Sequence, residues 1–432
     1  VGWSSACISI GLLYRVACAA FTLSWSYVFL FDQTAYQNHD YLICLLGFLF
    51  LLMPLNRHWA VDALIWPRIR SAFVPAWCLY LFRFQIGVVY FFGAVRKFNP
   101  DWLRGEPIRS MLHIRAFDHP SIGSWLFHEP LVMTFAYGGL ALDLLIIPAL
   151  LWRPTRLPAF LVLLGFHLAN AVLWEIDVFP WFMIVATLLF FDPDSPRRVL
   201  RRIRRESATK PSPTPKAVRD AVSRRQKALG ALLGVYTLAQ VMVPLRPFLY
   251  PGHPLEQPDL LKFSWNMMLR LDSTQLIFLV VDHDSGEQWE IAAESLLSPF
   301  QMGRLGSPDM MHQLARHLAA EKEAAGPANV SVYMRAFQRV HARPWQVVYD
   351  PDTDFAATPR TLGVKPWLLP FVEPYPPDPA ARNAYDRARW EFCKREGYLP
   401  LARFAGDPEV LEHLRIWDAE YRKSIAPPKV PE

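Results

Sequence analysis

Cysteine is scarce and unpaired in this chain. The five present, Cys7, Cys18, Cys44, Cys78 and Cys393, show neither disulfide-framework nor metal-ligand spacing. Four lie in apolar stretches, where a free thiol packs as a small hydrophobe. A disulfide-stapled scaffold and a zinc site are therefore excluded. No HExxH, GxSxG, Walker or GxGxxG pattern stands in the context its chemistry requires, so zincin, hydrolase and nucleotide-binding readings have no support. The start, GWSSACISIGLLYRVACAAF, lacks the charged leader and small-residue cleavage site of a signal peptide. It reads as the interior of a membrane segment, with residues 2–11 the tail of a further helix and the N-terminus truncated. Charged residues are few, 19% against 52% hydrophobic, and this imbalance belongs mostly to the first 248 residues. Long apolar runs are missing beyond that point, so the chain divides into an apolar part, 1–248, and a polar part, 249–432.

The net charge of +6 is no sign of a nucleic-acid partner. Much of the excess sits in RRVLRRIRR and SRRQK, within 197–227, between two apolar segments where membrane topology accounts for it. A spanning helix needs about 20 mostly apolar residues. Seven segments approach this, at 12–31, 41–55, 76–95, 131–152, 158–176, 178–191 and 228–245. The second and sixth are short.

Lys and Arg sort the connecting loops. Those at 56–75, 153–157 and 192–227 are basic, whereas 32–40 and 176–178 contain neither residue. Alternate crossings with the basic loops cytoplasmic place the 96–130 loop, and everything after 245, outside. Asn38–His39, Lys97 and Glu175–Asp177 then converge on one extracytoplasmic end of the bundle. In the polar part, QLIFLVVDHD, EQWEIAA, VSVYMRAF and WQVVYD have strand composition, and MMHQLARHLAAEKEA has helical spacing. Residues 374–397 pass from a proline-rich linker into a charged helix. The expected fold is a multi-span α-helical membrane bundle followed by a β-rich α+β domain with a helical tail.

Few residues in this frame carry chemistry. Lys97, in FFGAVRKFNPDW, ends a dry run beside Arg96. Desolvation and a neighbouring cation both disfavour an ammonium there, and a neutral amine can act as a general base. The alternative is snorkelling of a helix-end cation toward headgroups. His39 is either a proton-handling group or an interfacial loop residue. His167, in GFHLANAVLW, either packs across the bundle or faces a cofactor pocket. Asp143 is costly at bilayer depth without a partner, and a Ser, a Tyr or a buried Arg is expected to supply one. In KFSWNMMLR, Trp265 and the nearby cations are positioned either to hold an acidic side chain or to solubilise an edge strand.

Taken together, QNHDYL, NRHWAVDAL, VYFFGAVRKFNPDWLRGE, GGLALDL, GFHLANAVLW, FSWNMM and RPWQVVYDP resemble the vitamin K-dependent γ-glutamyl carboxylase family. They occur in that family's order, to about residue 370. The membrane part is similar to the horizontally transferred transmembrane domain of bacterial homologues. The resemblance implies an enzyme that oxidises a vitamin K hydroquinone (phylloquinol or menaquinol) with O₂. The oxygenated quinone becomes a base for the γ-proton of protein-bound glutamate, and the carbanion captures CO₂. In that scheme Lys97 matches the base that deprotonates the hydroquinone, and His39 matches a catalytic histidine. Asn38, Arg96 and His167 are quinol-pocket candidates, and Trp265, Arg270 and Arg360 are candidates for holding the glutamate. No metal is implied. The implied partners are the lipid bilayer and an acidic protein or peptide, and the implied location is a bacterial inner membrane.

The chain departs from the family where Arg96 replaces a lysine and Arg270 replaces a histidine, and its tail is shorter than in the animal enzymes. Arg270 and the shorter tail keep open a quinol oxygenase that does not carboxylate, and a further alternative is a non-enzymatic membrane scaffold with an extracytoplasmic binding domain.

Overall fold

A computed structural model of the chain describes residues 1–174, 176–204, 223–250, 255–303, 305–326, 329–361, 363–372, 378–399 and 407–425. Glu175, the middle of the basic 192–227 loop and the proline-rich start of the 374–397 stretch lie outside the described residues.

Among the described residues, five helices are long and apolar enough to cross a membrane: Tyr14–Phe31, Ala76–Lys97, Glu129–Leu151, Arg156–Trp174 and the one that starts at Arg224. Two shorter apolar helices, Asn38–Leu52 and Phe179–Phe190, occupy the two segments whose runs were short. Close packing between spans uses small residues, as expected where lipid and protein are equally apolar. A Cβ added at Gly47 would lie 2.7 Å from Thr22 Oγ1, which lets the Asn38–Leu52 helix approach the Tyr14–Phe31 helix. The bundle core is built on the inner faces of the spans, with Leu42, Leu46, Ile86, Val89 and Leu163 among its buried residues.

The Ala76–Lys97 helix stops for a local reason. Pro100 disfavours helical geometry in the residue before it, and Asn99 closes the end. Its Nδ2 donates to the Arg96 carbonyl at 2.8 Å, and its Oδ1 accepts from the Trp102 amide at 3.0 Å. Trp102 in turn donates its indole N–H to the Ala136 carbonyl at 2.9 Å, fastening the turn to the Glu129–Leu151 helix.

The polar part holds an antiparallel sheet in the order β2-β1-β3-β4, made of Asp272–Asp282 (β1), Gln288–Ala292 (β2), Val330–Val340 (β3) and Gln346–Val347 (β4). Phe278 pairs with Met334 at the centre of the β1–β3 register. The Pro308–Ala325 helix covers one face, burying Met311, Ala315 and Leu318 against Phe278, Val280 and Val332. The charged helix Pro379–Arg395 docks on the membrane part instead, where Trp390 donates to the Ala116 carbonyl at 2.9 Å.

Candidate active site

Lys97 is the last residue of its helix, yet only 6% exposed. It does not snorkel. Its Nζ meets the carboxyl group of Asp143 on the Glu129–Leu151 helix, itself 3% exposed, and lies 5.0 Å from the centre of the Trp102 ring. The expected partner for Asp143 was a Ser, a Tyr or an Arg; the partner is Lys97. Gly93, one turn before Lys97, makes the approach possible, since a Cβ there would stand 3.2 Å from Asp143 Oδ2 and 2.7 Å from Met267 Cε.

The pair opens onto a cavity of about 260 Å³. Asn38, His39 and His167 line it, as does Asn170. Its apolar walls come from Phe135, Phe166, Trp174 and Phe179. Tyr90 Oη and His167 Nε2 are 2.8 Å apart. His167 Nδ1 is buried without a hydrogen-bond partner among the described residues. Such an orphan on a cavity wall is a ready contact for a polar ligand atom.

Arg96 departs from its assignment. Successive helical residues point about 100° apart, and when Lys97 turns into the cavity Arg96 turns away. Its Nε donates to Asn266 Oδ1 at 2.8 Å and its guanidinium lies 5.0 Å from the Phe248 ring centre. It does not line the cavity.

A second cavity, of about 460 Å³, adjoins the first on the side of the sheet domain. Lys262 and Arg270 line it, together with Asp272 and Ser307. Arg270 donates to the Leu255 carbonyl and to Gln338 Oε1, the latter at 2.7 Å, and lies 3.4 Å from Asp272 Oδ2. Burial pushes the Lys262 ammonium down, against the opposing pull of Asp259 and Asp309. The two cavities share Gln37, Asn38 and Asn266.

Residues 263–268 bring the sheet domain to this junction. Phe263, Trp265 and Met268 take φ values of 63°, 58° and 55°, a left-handed conformation that is costly outside glycine and persists where surroundings over-determine it. The result drives Trp265 into the bundle core, fully buried, its ring 5.1 Å from Tyr41. Trp265 therefore packs as core. Arg360 lines a third cavity and gives both of its near donors to Asp309, Nε to Oδ1 at 2.8 Å and Nη2 to Oδ2 at 2.6 Å. That ion pair holds Asp309 down at about 2, overcoming the opposing effect of burial.

The sequence reading missed Asp143 as the partner of Lys97, although a lone acid in an apolar span was the available signal. It also passed over Asn266 in favour of its neighbour Trp265. Among the described residues, no group of three or more His, Cys, Asp or Glu is placed to hold a metal.

Comparison with known families gives two matches. Residues 1–195 match the HTTM domain, and residues 225–374 match the "Vitamin K-dependent gamma-carboxylase, lumenal domain". No solved structure matches the chain.

Proposed function

The chain belongs to the vitamin K-dependent γ-glutamyl carboxylase family, and from that membership we propose that it converts protein-bound glutamate to γ-carboxyglutamate while oxidising a quinol to its epoxide. Overall, quinol and O₂ give epoxide and water, and the glutamate γ-carbon exchanges a proton for CO₂. The observation that carries this reading is the pair of adjoining cavities. One is apolar with a buried lysine–aspartate pair, the other polar with two cations.

In this reading the first cavity would hold the quinol ring, which would supply the oxidisable hydroxyls. Lys97 removes a hydroxyl proton. Asp143 orients the amine and ensures that protonation completes a neutral pair rather than leaving an isolated buried cation. His39 and the free Nδ1 of His167 contact the ring oxygens, and Asn38 lines the same wall. Oxygenation of the quinol supplies the strong base, in a site from which water is kept away. An acidic peptide approaches through the second cavity, where Arg270 and Lys262 attract its carboxylate. Arg360 lines a neighbouring cavity that shares Gln33, Tyr36 and Lys262 with the second, and supports it through Asp309.

The five apolar helices make this an integral membrane protein, and the lumenal-domain match puts its C-terminal region off the cytoplasmic side. A bacterial inner membrane, with menaquinol as the quinol at hand, completes the proposal. Purified protein in lipid nanodiscs, given reduced vitamin K, labelled CO₂ and a glutamate-containing peptide, should incorporate label and form epoxide. Epoxide without label would instead establish a quinol oxygenase, the reading favoured by the existing hydrogen bonds of Arg270. Absence of both products would reject the enzyme readings.

A further inference from the structure

Among the described residues, only three line both cavities, Gln37, Asn38 and Asn266, and all three carry side-chain amides. The ionisable groups stand to either side. Lys97, Asp143 and His39 face the first cavity, while Lys262, Arg270 and Asp272 face the second. We propose that these amides form the passage through which the reacting centres meet, and that Asn266 is the positioning residue that couples quinol oxidation to glutamate carboxylation. This inference rests on the function proposed above.

The geometry fixes the passage from both sides. Asn38 Nδ2 donates to the Asn266 carbonyl at 2.9 Å, and Asn38 Oδ1 accepts from the Tyr36 hydroxyl at 3.2 Å. Asn266 Oδ1 accepts from Arg96 Nε at 2.8 Å, and its Nδ2 donates to the Leu261 carbonyl. Asn266 therefore joins three elements. It belongs to the strained 263–268 segment, it is tied to the end of the Lys97 helix, and it receives the start of the His39 helix. One of its amide protons is committed to the Leu261 carbonyl.

The chemistry explains why amides suit this position. In the coupled step the γ C–H bond of glutamate breaks and its proton passes to an oxygen of the base formed from quinol and O₂, which leaves as water. The electron pair left on carbon forms the new bond to CO₂. A base strong enough for a carbon next to a carboxylate takes a proton more readily from an ammonium, an imidazolium or water. An unpaired donor of this kind at the junction would compete with glutamate for it, whereas Lys97 is held by Asp143. A side-chain amide is uncharged and far less acidic than an ammonium or an imidazolium, and held in place it satisfies the polar atoms around it without admitting mobile water. The passage can thus be polar without being acidic. The role of Arg96 becomes intelligible as well, because it is turned away from the quinol and holds Asn266 in place.

The ratio of γ-carboxyglutamate to epoxide tests this, measured with reduced vitamin K, CO₂ and a glutamate peptide. Asn266→His brings a titratable N–H to the passage and should lower the ratio about tenfold or more, the loss deepening as pH falls through the imidazole range near about 6.5. Asn266→Ala opens the wall to water and should lower the ratio at all pH values. Asn38→Ala provides the same test from the opposite wall should the Asn266 variants fail to fold. A purely structural role predicts that both products fall together, and a ratio unchanged in these variants overturns the inference while leaving the proposed function standing. If the wild-type protein forms neither product, the proposed function fails first and this inference fails with it.

Discussion

Arg343 grips both carboxylate oxygens of Asp101, with Nη1 to Oδ2 and Nη2 to Oδ1 each at 2.8 Å. His341 Nδ1 adds a third bond, at 2.7 Å from Oδ2. Both of these side chains follow β3 of the sheet domain, whereas Asp101 lies on the turn that follows the Lys97 helix. All three are essentially inaccessible. Burial alone would raise the Asp101 carboxyl, but the bonds from His341 and Arg343 outweigh it and hold it at about 2. The clamp therefore stays ionised until the pH falls toward that value. Through the adjacent Trp102, whose ring covers Lys97, it ties the sheet domain to the proposed base.

Removing one partner from such a pair leaves an uncompensated buried charge, at about 3–5 kcal/mol. Arg343→Ala should accordingly destabilise the protein by that order and expose the 96–107 turn to protease. Thermal unfolding with limited proteolysis measures both. A variant as stable and as resistant as wild type would refute the clamp.

The lysine–aspartate pair makes a second prediction. Lys97→Ala should slow quinol oxidation by at least about 100-fold, the usual scale for a general base. Lys97→Arg keeps a cation for Asp143 and so should fold, but a guanidinium with pKa above about 12 does not act as the base. Epoxide formation in the arginine variant at more than a few per cent of wild type would remove Lys97 from this role.

Glu106 should shape the pH dependence of stability. Burial raises its carboxyl from 4.5 to about 7, against the opposing effects of Ser110 and Arg109. A raised carboxyl binds its proton more tightly when folded, so it costs nothing below the unfolded value and progressively more as pH climbs from about 4.5 through about 7. Glu106→Gln should therefore gain stability relative to wild type between pH 5 and 8, by an amount on the order of 1–3 kcal/mol. Unfolding midpoints of the two proteins across that range decide it; parallel curves would show that the shift is absent.

Asp62 offers a contrast, because the motif around it is structural. Its carboxylate accepts from the Leu13 amide at 2.7 Å, the Tyr14 amide at 3.0 Å and Asn56 Nδ2 at 2.7 Å, closing the gap before the first long span. Asp62→Ala leaves these buried donors unpaired and should cost about 1–3 kcal/mol. The ratio of carboxylated peptide to epoxide should not change. A changed ratio at unchanged stability would place this turn in the chemistry instead.

Several features of this protein were legible in its sequence. Apolar runs marked the membrane helices, and alternating residues marked the sheet strands around Phe278 and Val332. Counting Lys and Arg in the loops put Asn38, His39 and Lys97 at one end of the bundle, and all three line the same cavity. These are local or one-dimensional properties, set by which residues tolerate lipid and which form a pleated face.

Only the tertiary structure decided which side of each helix faces inward. In a membrane the lipid is as apolar as the protein interior, so hydrophobicity gives little sign of helical phase. For that reason the sequence did not show that Asp143, 46 positions along the chain, completes the Lys97 site, or that Arg96 turns away to hold Asn266. The burial of Trp265 and the meeting of three amides between two cavities likewise depend on where residues 263–268 insert. Packing and hydrogen bonding decide that placement between segments far apart in the chain, and no pattern within either segment encodes it.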